Sequence, residues 1–157
     1  MTQTTSSMFK IMLLGFAVGT ASILWVNAAH AQTAPKIIEK YEQAAKSGKA
    51  PSTATQMAGC AAYWKRWGAT LERDWEGKFI SEMGAKLAPA KAKKNAAFWQ
   101  MAAQKKWKKE HKGGLTGYDA AYAGLEKNAD RDYEYLTRGN YDKMYNIFDI
   151  LGSCDTK

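Results

Sequence analysis

Met57, Cys60, Trp64, Trp67, Leu71, Trp75 and Phe79 recur every three or four residues. That spacing puts large apolar side chains on one face of an α-helix, which a strand with its two-residue period cannot do. A stripe of this size has to be covered by other elements, so it predicts helices packed on helices. Ser52 or Thr53 is placed to cap the start of this helix, and the pattern predicts a run to about Ala85.

The rest of the chain repeats with the same period, and alternating β-branched runs are absent. Pro35 to Lys46 sets Ile37, Ile38, Tyr41 and Ala45 on one face, before Ser47-Gly48-Lys49-Ala50-Pro51 breaks it. Pro89 marks a turn after Ala85, because proline disfavours helix in the residue before it. A helix over about Ala90 to His111 turns Ala92, Ala96, Trp99, Ala103 and Trp107 inward and stops at Gly113-Gly114. Another, over about Gly117 to Thr137, carries Tyr118, Tyr122, Leu125, Ala129, Tyr133 and Leu136. After Gly139, Asn140 caps a last helix, Tyr141 to Leu151, whose inner face is Met144, Tyr145, Phe148 and Leu151. Short connections favour antiparallel neighbours. The expected fold class is therefore all-α: a small antiparallel helical bundle of four main helices plus a short N-terminal helix, following a signal peptide.

The signal peptide rests on residues 1–31. A polar start ends in Lys10, an apolar run follows from Ile11 to Val26, and Ala29 and Ala31 supply the small residues of a cleavage site. The run falls short of the roughly 20 residues that span a bilayer, and Gly15 and Gly19 interrupt it. Cleavage after Ala31 leaves 126 residues, the size of one domain. The expected organisation is a signal peptide (1–31), a short helix and linker (32–51) and a helical domain (52–157), delivered to the periplasm of a Gram-negative bacterium or secreted.

Export changes the reading of the two cysteines. In an oxidising compartment Cys60 and Cys154 are expected to pair as a disulfide, whereas a metal-binding or redox pair usually sits closer together, as in CxxC. If the main helices run up and down, helix lengths at 1.5 Å per residue bring the two cysteines to the same level.

Charge is the least evenly spread property of the chain. The exported part holds 22 basic and 15 acidic residues, and Lys86 to Lys112 alone holds nine lysines against a single acid, Glu110. On a helical wheel Lys91, Lys94, Lys105, Lys108, Lys109 and Lys112 fall within about 100° of arc, opposite Trp99 and Trp107. Phe98 and Met101 lie in the middle of that arc. Two readings follow. Such a face can simply keep a bundle in solution, or it can bind an anionic envelope component: a lipid headgroup, lipopolysaccharide or an acidic protein. Nucleic acid fits less well, since export removes the chain from it and lysine gives diffuse attraction rather than bidentate recognition.

Other chemistries find little footing. His111 is the one histidine after residue 31, there is no CxxCH, and no glycine-flanked serine resembles a hydrolase nucleophile. No metal, haem or other cofactor is expected. Asp119, Glu126, Asp130 and Glu134 form an acidic stripe without the positional signature of a catalytic carboxylate pair. The expected function is non-catalytic binding at the cell envelope through the lysine face. One alternative is a carrier or enzyme with an aromatic pocket lined by Trp64, Trp67 and Tyr122. Another is an assembly partner that uses the acidic and basic helices in trans.

Overall fold

The computed structural model describes residues 36–73, 84–112, 114–138 and 140–156. The expected signal segment lies outside them, as do Trp75, Phe79, Gly113 and Gly139. All regular structure among the described residues is helical: α1 (36–46), α2 (Ala54–Glu72), α3 (Pro89–Glu110), α4 (Tyr118–Thr137) and α5 (Tyr141–Ser153), with a 3-10 turn at Ala85–Leu87.

The helix ends follow local chemistry. Thr53 caps α2 in a full capping box: its hydroxyl accepts from the Gln56 N–H, and the Gln56 side chain accepts from the Thr53 N–H. Pro89 opens α3, where its missing N–H costs nothing. Asn140 caps α5 by accepting from the Lys143 N–H at 3.2 Å. One expected boundary is corrected. α2 does not reach Ala85 but ends at Glu72, with Arg73 as its C-cap, and Gly84 at φ +68° leads into the 3-10 turn. An apolar stripe marks the face of a helix and carries no stop signal of its own.

α2 is the element on which the others converge. Its buried face is Ala54, Ala58, Cys60, Ala61, Ala62, Trp64, Trp67 and Leu71. Tyr41 of α1 meets Trp64 edge-on at 6.3 Å, and Phe148 of α5 meets Trp67 edge-on at 5.2 Å. Toward α3, a Cβ on Gly68 would lie 3.6 Å from that of Ala92, and the Ala54 N–H faces the Glu110 carboxylate at 3.4 Å. Toward α4, Tyr133 donates to the Tyr63 carbonyl at 3.1 Å, and the Tyr63 hydroxyl donates to the Asp132 carboxylate. Buried tryptophans need partners for their N–H groups. Trp67 finds the Leu87 carbonyl at 2.9 Å, which fixes the 3-10 turn against α2.

Cys60 and Cys154 are joined by a disulfide, with their Cα atoms 5.5 Å apart. It closes a loop of 94 residues, and chain entropy puts such a closure at about 4–5 kcal/mol. The carbonyl of Cys154 accepts two indole N–H groups, from Trp64 at 3.0 Å and Trp99 at 2.6 Å. Beyond it, Asp155 pairs with Lys91 at 2.7 Å, and Asn95 is held between Asp155 and Thr156. Asn95 is fully buried, a polar residue on what sequence periodicity marks as the margin of the helix. Its amide is satisfied by the segment that follows α5, so burial carries little penalty.

Candidate anion-binding face

α3 packs through Ala92, Asn95, Trp99 and Ala103, which fixes the orientation of its other side. Lys94, Lys105, Lys108, Lys109 and Lys112 are exposed there, with Phe98 at 45% and Met101 at 65% exposure. Phe98 rests edge-on against Trp99, ring centres 5.0 Å apart, so its ring is supported from below and open above. At about 1.5 Å per residue, Lys94 and Lys105 are separated by roughly 16 Å along the axis, with Phe98 and Met101 between them.

The structure divides the six expected lysines. Lys91 is half-buried and bound to Asp155, so its charge is already answered. Among the described residues no carboxylate lies within ion-pair distance of Lys94, Lys105, Lys108, Lys109 or Lys112. Lys106, just off this arc, pairs with Glu110 at 3.9 Å. Lys108 and Lys109 occupy the last turn of α3, where the helix dipole favours cations. Lys112 follows at φ +50°, so the chain turns on this lysine.

The acidic stripe of α4 is engaged elsewhere. Glu126 pairs with Lys65 at 2.6 Å and Asp130 with Arg66 at 3.1 Å, both on α2, while Glu134 pairs with Arg138 on its own helix. Glu42 binds both Lys46 and Lys86, and the Lys86 ammonium holds its carboxyl below the usual carboxylate range. Asp149 takes Lys40 at 3.4 Å. Among the described residues Glu42, Glu126, Asp130, Glu134 and Asp149 thus lie against basic groups away from the α3 face. Asp155 was not foreseeable as a partner of Lys91, since it sits beyond the last helix and 64 residues away in sequence.

The aromatic side chains are used differently. Trp64 and Trp67 are fully buried, each with its indole N–H on a backbone carbonyl. A surface cleft of about 280 Å³ does lie between α2 and α4, but its lining is Ala62, Lys65, Arg66, Ala69, Glu126 and Asp130. Tyr122 stacks on Tyr118 at 6.0 Å, and Trp107 stacks on His111 at 4.1 Å. The His111 Nδ1 lies 3.1 Å from the Trp107 carbonyl. No group of three His, Cys, Asp or Glu side chains converges to hold a metal ion among the described residues. No described helix is long and apolar enough to cross a membrane. Comparison of the chain with protein-family models, with curated proteins and with solved structures finds no match.

Proposed function

We propose that this protein is exported and binds an anionic component of the cell envelope, without catalysis, through Lys94, Lys105, Lys108, Lys109 and Lys112 of the α3 face. The observation that carries the reading is the absence of a carboxylate partner for these five lysines among the described residues, while Glu126, Asp130 and Glu134 of α4 pair with other groups. Five ammonium groups gathered on one arc raise the local concentration of anions. Their proximity also costs mutual repulsion, which an anionic partner relieves.

The same proposal takes the helices as an antiparallel bundle. Residue pairs support it: 54 with 110 and 68 with 92 between α2 and α3, and 63 with 132 and 66 with 130 between α2 and α4. Export draws support from the disulfide, because cytosolic thiols are generally kept reduced. In this arrangement the lysine face lies on a rigid outer helix.

The test is binding of the full-length processed protein to anionic vesicles, lipopolysaccharide and polyglutamate at low and high salt. Wild type is expected to bind at low salt and release at high salt. The variant K105Q/K108Q/K109Q/K112Q is expected to bind roughly two to three powers of ten more weakly, at about 1 kcal/mol per lysine near an anionic surface. Unchanged binding by the variant, or no binding by wild type to any of the three, contradicts the proposal.

A further inference from the structure

Resting on the reading of α3 as an anion-binding face, we infer that its partner is an anionic phospholipid bilayer, on which α3 lies flat with Phe98 and Met101 seated at the headgroup–acyl boundary. The inference comes from what stands between the lysines. An acidic protein or a free phosphate needs only the charges. The two most exposed large apolar side chains among the described residues, Met101 and Phe98, lie on the same arc as the unpaired lysines. Lys94 flanks them on one side, and Lys105, Lys108, Lys109 and Lys112 on the other. Apolar residues at the centre of a cationic helix face match a helix in the plane of a membrane interface, where headgroups meet the ammoniums and acyl chains meet the apolar pair.

Shape and charge narrow the choice further. α3 is 22 residues long, about 33 Å at 1.5 Å per residue, and presents a convex ridge rather than a groove. A ridge fits a deformable, fluid surface better than a second rigid protein, which needs a matching concavity. All nine basic residues between Lys86 and Lys112 are lysines, whose long stems reach sideways to mobile headgroups and whose point charges need no fixed geometry. A second copy of this chain is a poor occupant. Glu126 and Asp130 of its α4 already hold Lys65 and Arg66, and binding a neighbour's lysines through them would break those pairs.

The lysines and the apolar pair make separable predictions. The probes are vesicles of phosphatidylglycerol mixed with phosphatidylcholine, vesicles of phosphatidylcholine alone, and soluble polyglutamate. The variant F98S/M101S should bind the anionic vesicles at least about tenfold more weakly, from the apolar area no longer taken from water. It should bind polyglutamate as wild type does and keep its helical circular dichroism, with only a modest fall in melting temperature from the lost contact of Phe98 with Trp99. In F98W, brominated acyl chains should quench the added fluorescence beyond the quenching seen in wild type. Full vesicle affinity in F98S/M101S, or an F98W signal that brominated chains leave untouched, overturns the bilayer while leaving the anion-binding face intact. Tighter binding to polyglutamate than to vesicles does the same and points to an acidic protein. If K105Q/K108Q/K109Q/K112Q binds every probe as wild type does, the face itself fails and the inference falls with it.

Discussion

Gly152 sits inside α5, where glycine ordinarily costs a helix about 1 kcal/mol relative to alanine. Its reason is the backbone of α1. A Cβ at this position would lie 2.2 Å from the Tyr41 carbonyl oxygen and 2.7 Å from the Ala44 Cβ, so α1 and α5 approach as closely as they do only because residue 152 lacks a side chain. Gly152→Ala therefore has to part the two helices. It is expected to lower stability by about 1–3 kcal/mol, the usual range for overpacking, read from the urea midpoint of unfolding. The replacement of a poor helix former by the best one makes the sign informative: a gain in stability would mean the two helices are not in this contact. An isolated glycine within a helical pattern is a cue visible in sequence, but its partner is not, because Tyr41 lies 111 residues earlier. Asn95 is the converse case. Its position, three residues after Ala92 and four before Trp99, sets it beside the buried stripe, and only the segment after α5 explains how a polar side chain is satisfied there.

The seams between helices are rich in tyrosine. Tyr63 and Tyr133 join α2 to α4, Tyr41 joins α1 to α2, and Tyr118 and Tyr122 stack beside the end of α3. The Tyr41 and Tyr118 hydroxyls are buried without a hydrogen-bond partner of normal geometry. Burial raises the pKa of all five phenols above the ordinary 10.0, aided by Asp155 at Tyr41 and by Asp132 at Tyr63. Tyr122 is pushed up to about 12, by burial first and then by Glu126. A phenol with a raised folded pKa favours the folded state as long as it stays protonated. Below pH 10 this contribution is complete. It is lost as pH rises, because the unfolded chain gives up its protons from about pH 10 while the folded chain holds them, through about pH 12 for Tyr122. Tyrosinate absorbance near 295 nm should accordingly lag behind free tyrosine and rise together with loss of helical circular dichroism. Ionisation of all eight tyrosines near pH 10, with helix content intact, would show that these seams are open to water.

At the scale of the molecule, the helical class and most boundaries were legible because each helix carries a 3.6-residue stripe and a local start signal, as at Thr53, Pro89 and Asn140. The end of α2 was not, since no stop signal stands where Arg73 closes it and the chain returns to Trp67 through Leu87. The candidate face was legible as a set of lysines on one arc. Which of them remain available depended on distant acids: Asp155 removes Lys91, and Glu126 and Asp130 of the α4 stripe are spent on α2 rather than on α3. The central claim is that location, and not the overall positive charge of the chain, makes these lysines a binding surface. It is tested most directly by comparing three proteins on anionic vesicles: wild type, K105Q/K108Q/K109Q/K112Q, and K36Q/K49Q/K127Q/K143Q, which removes four exposed lysines from other parts of the surface. Both variants change net charge equally. The account predicts near-wild-type binding for the second variant and a loss of roughly two to three powers of ten for the first. Equal losses in the two would contradict it.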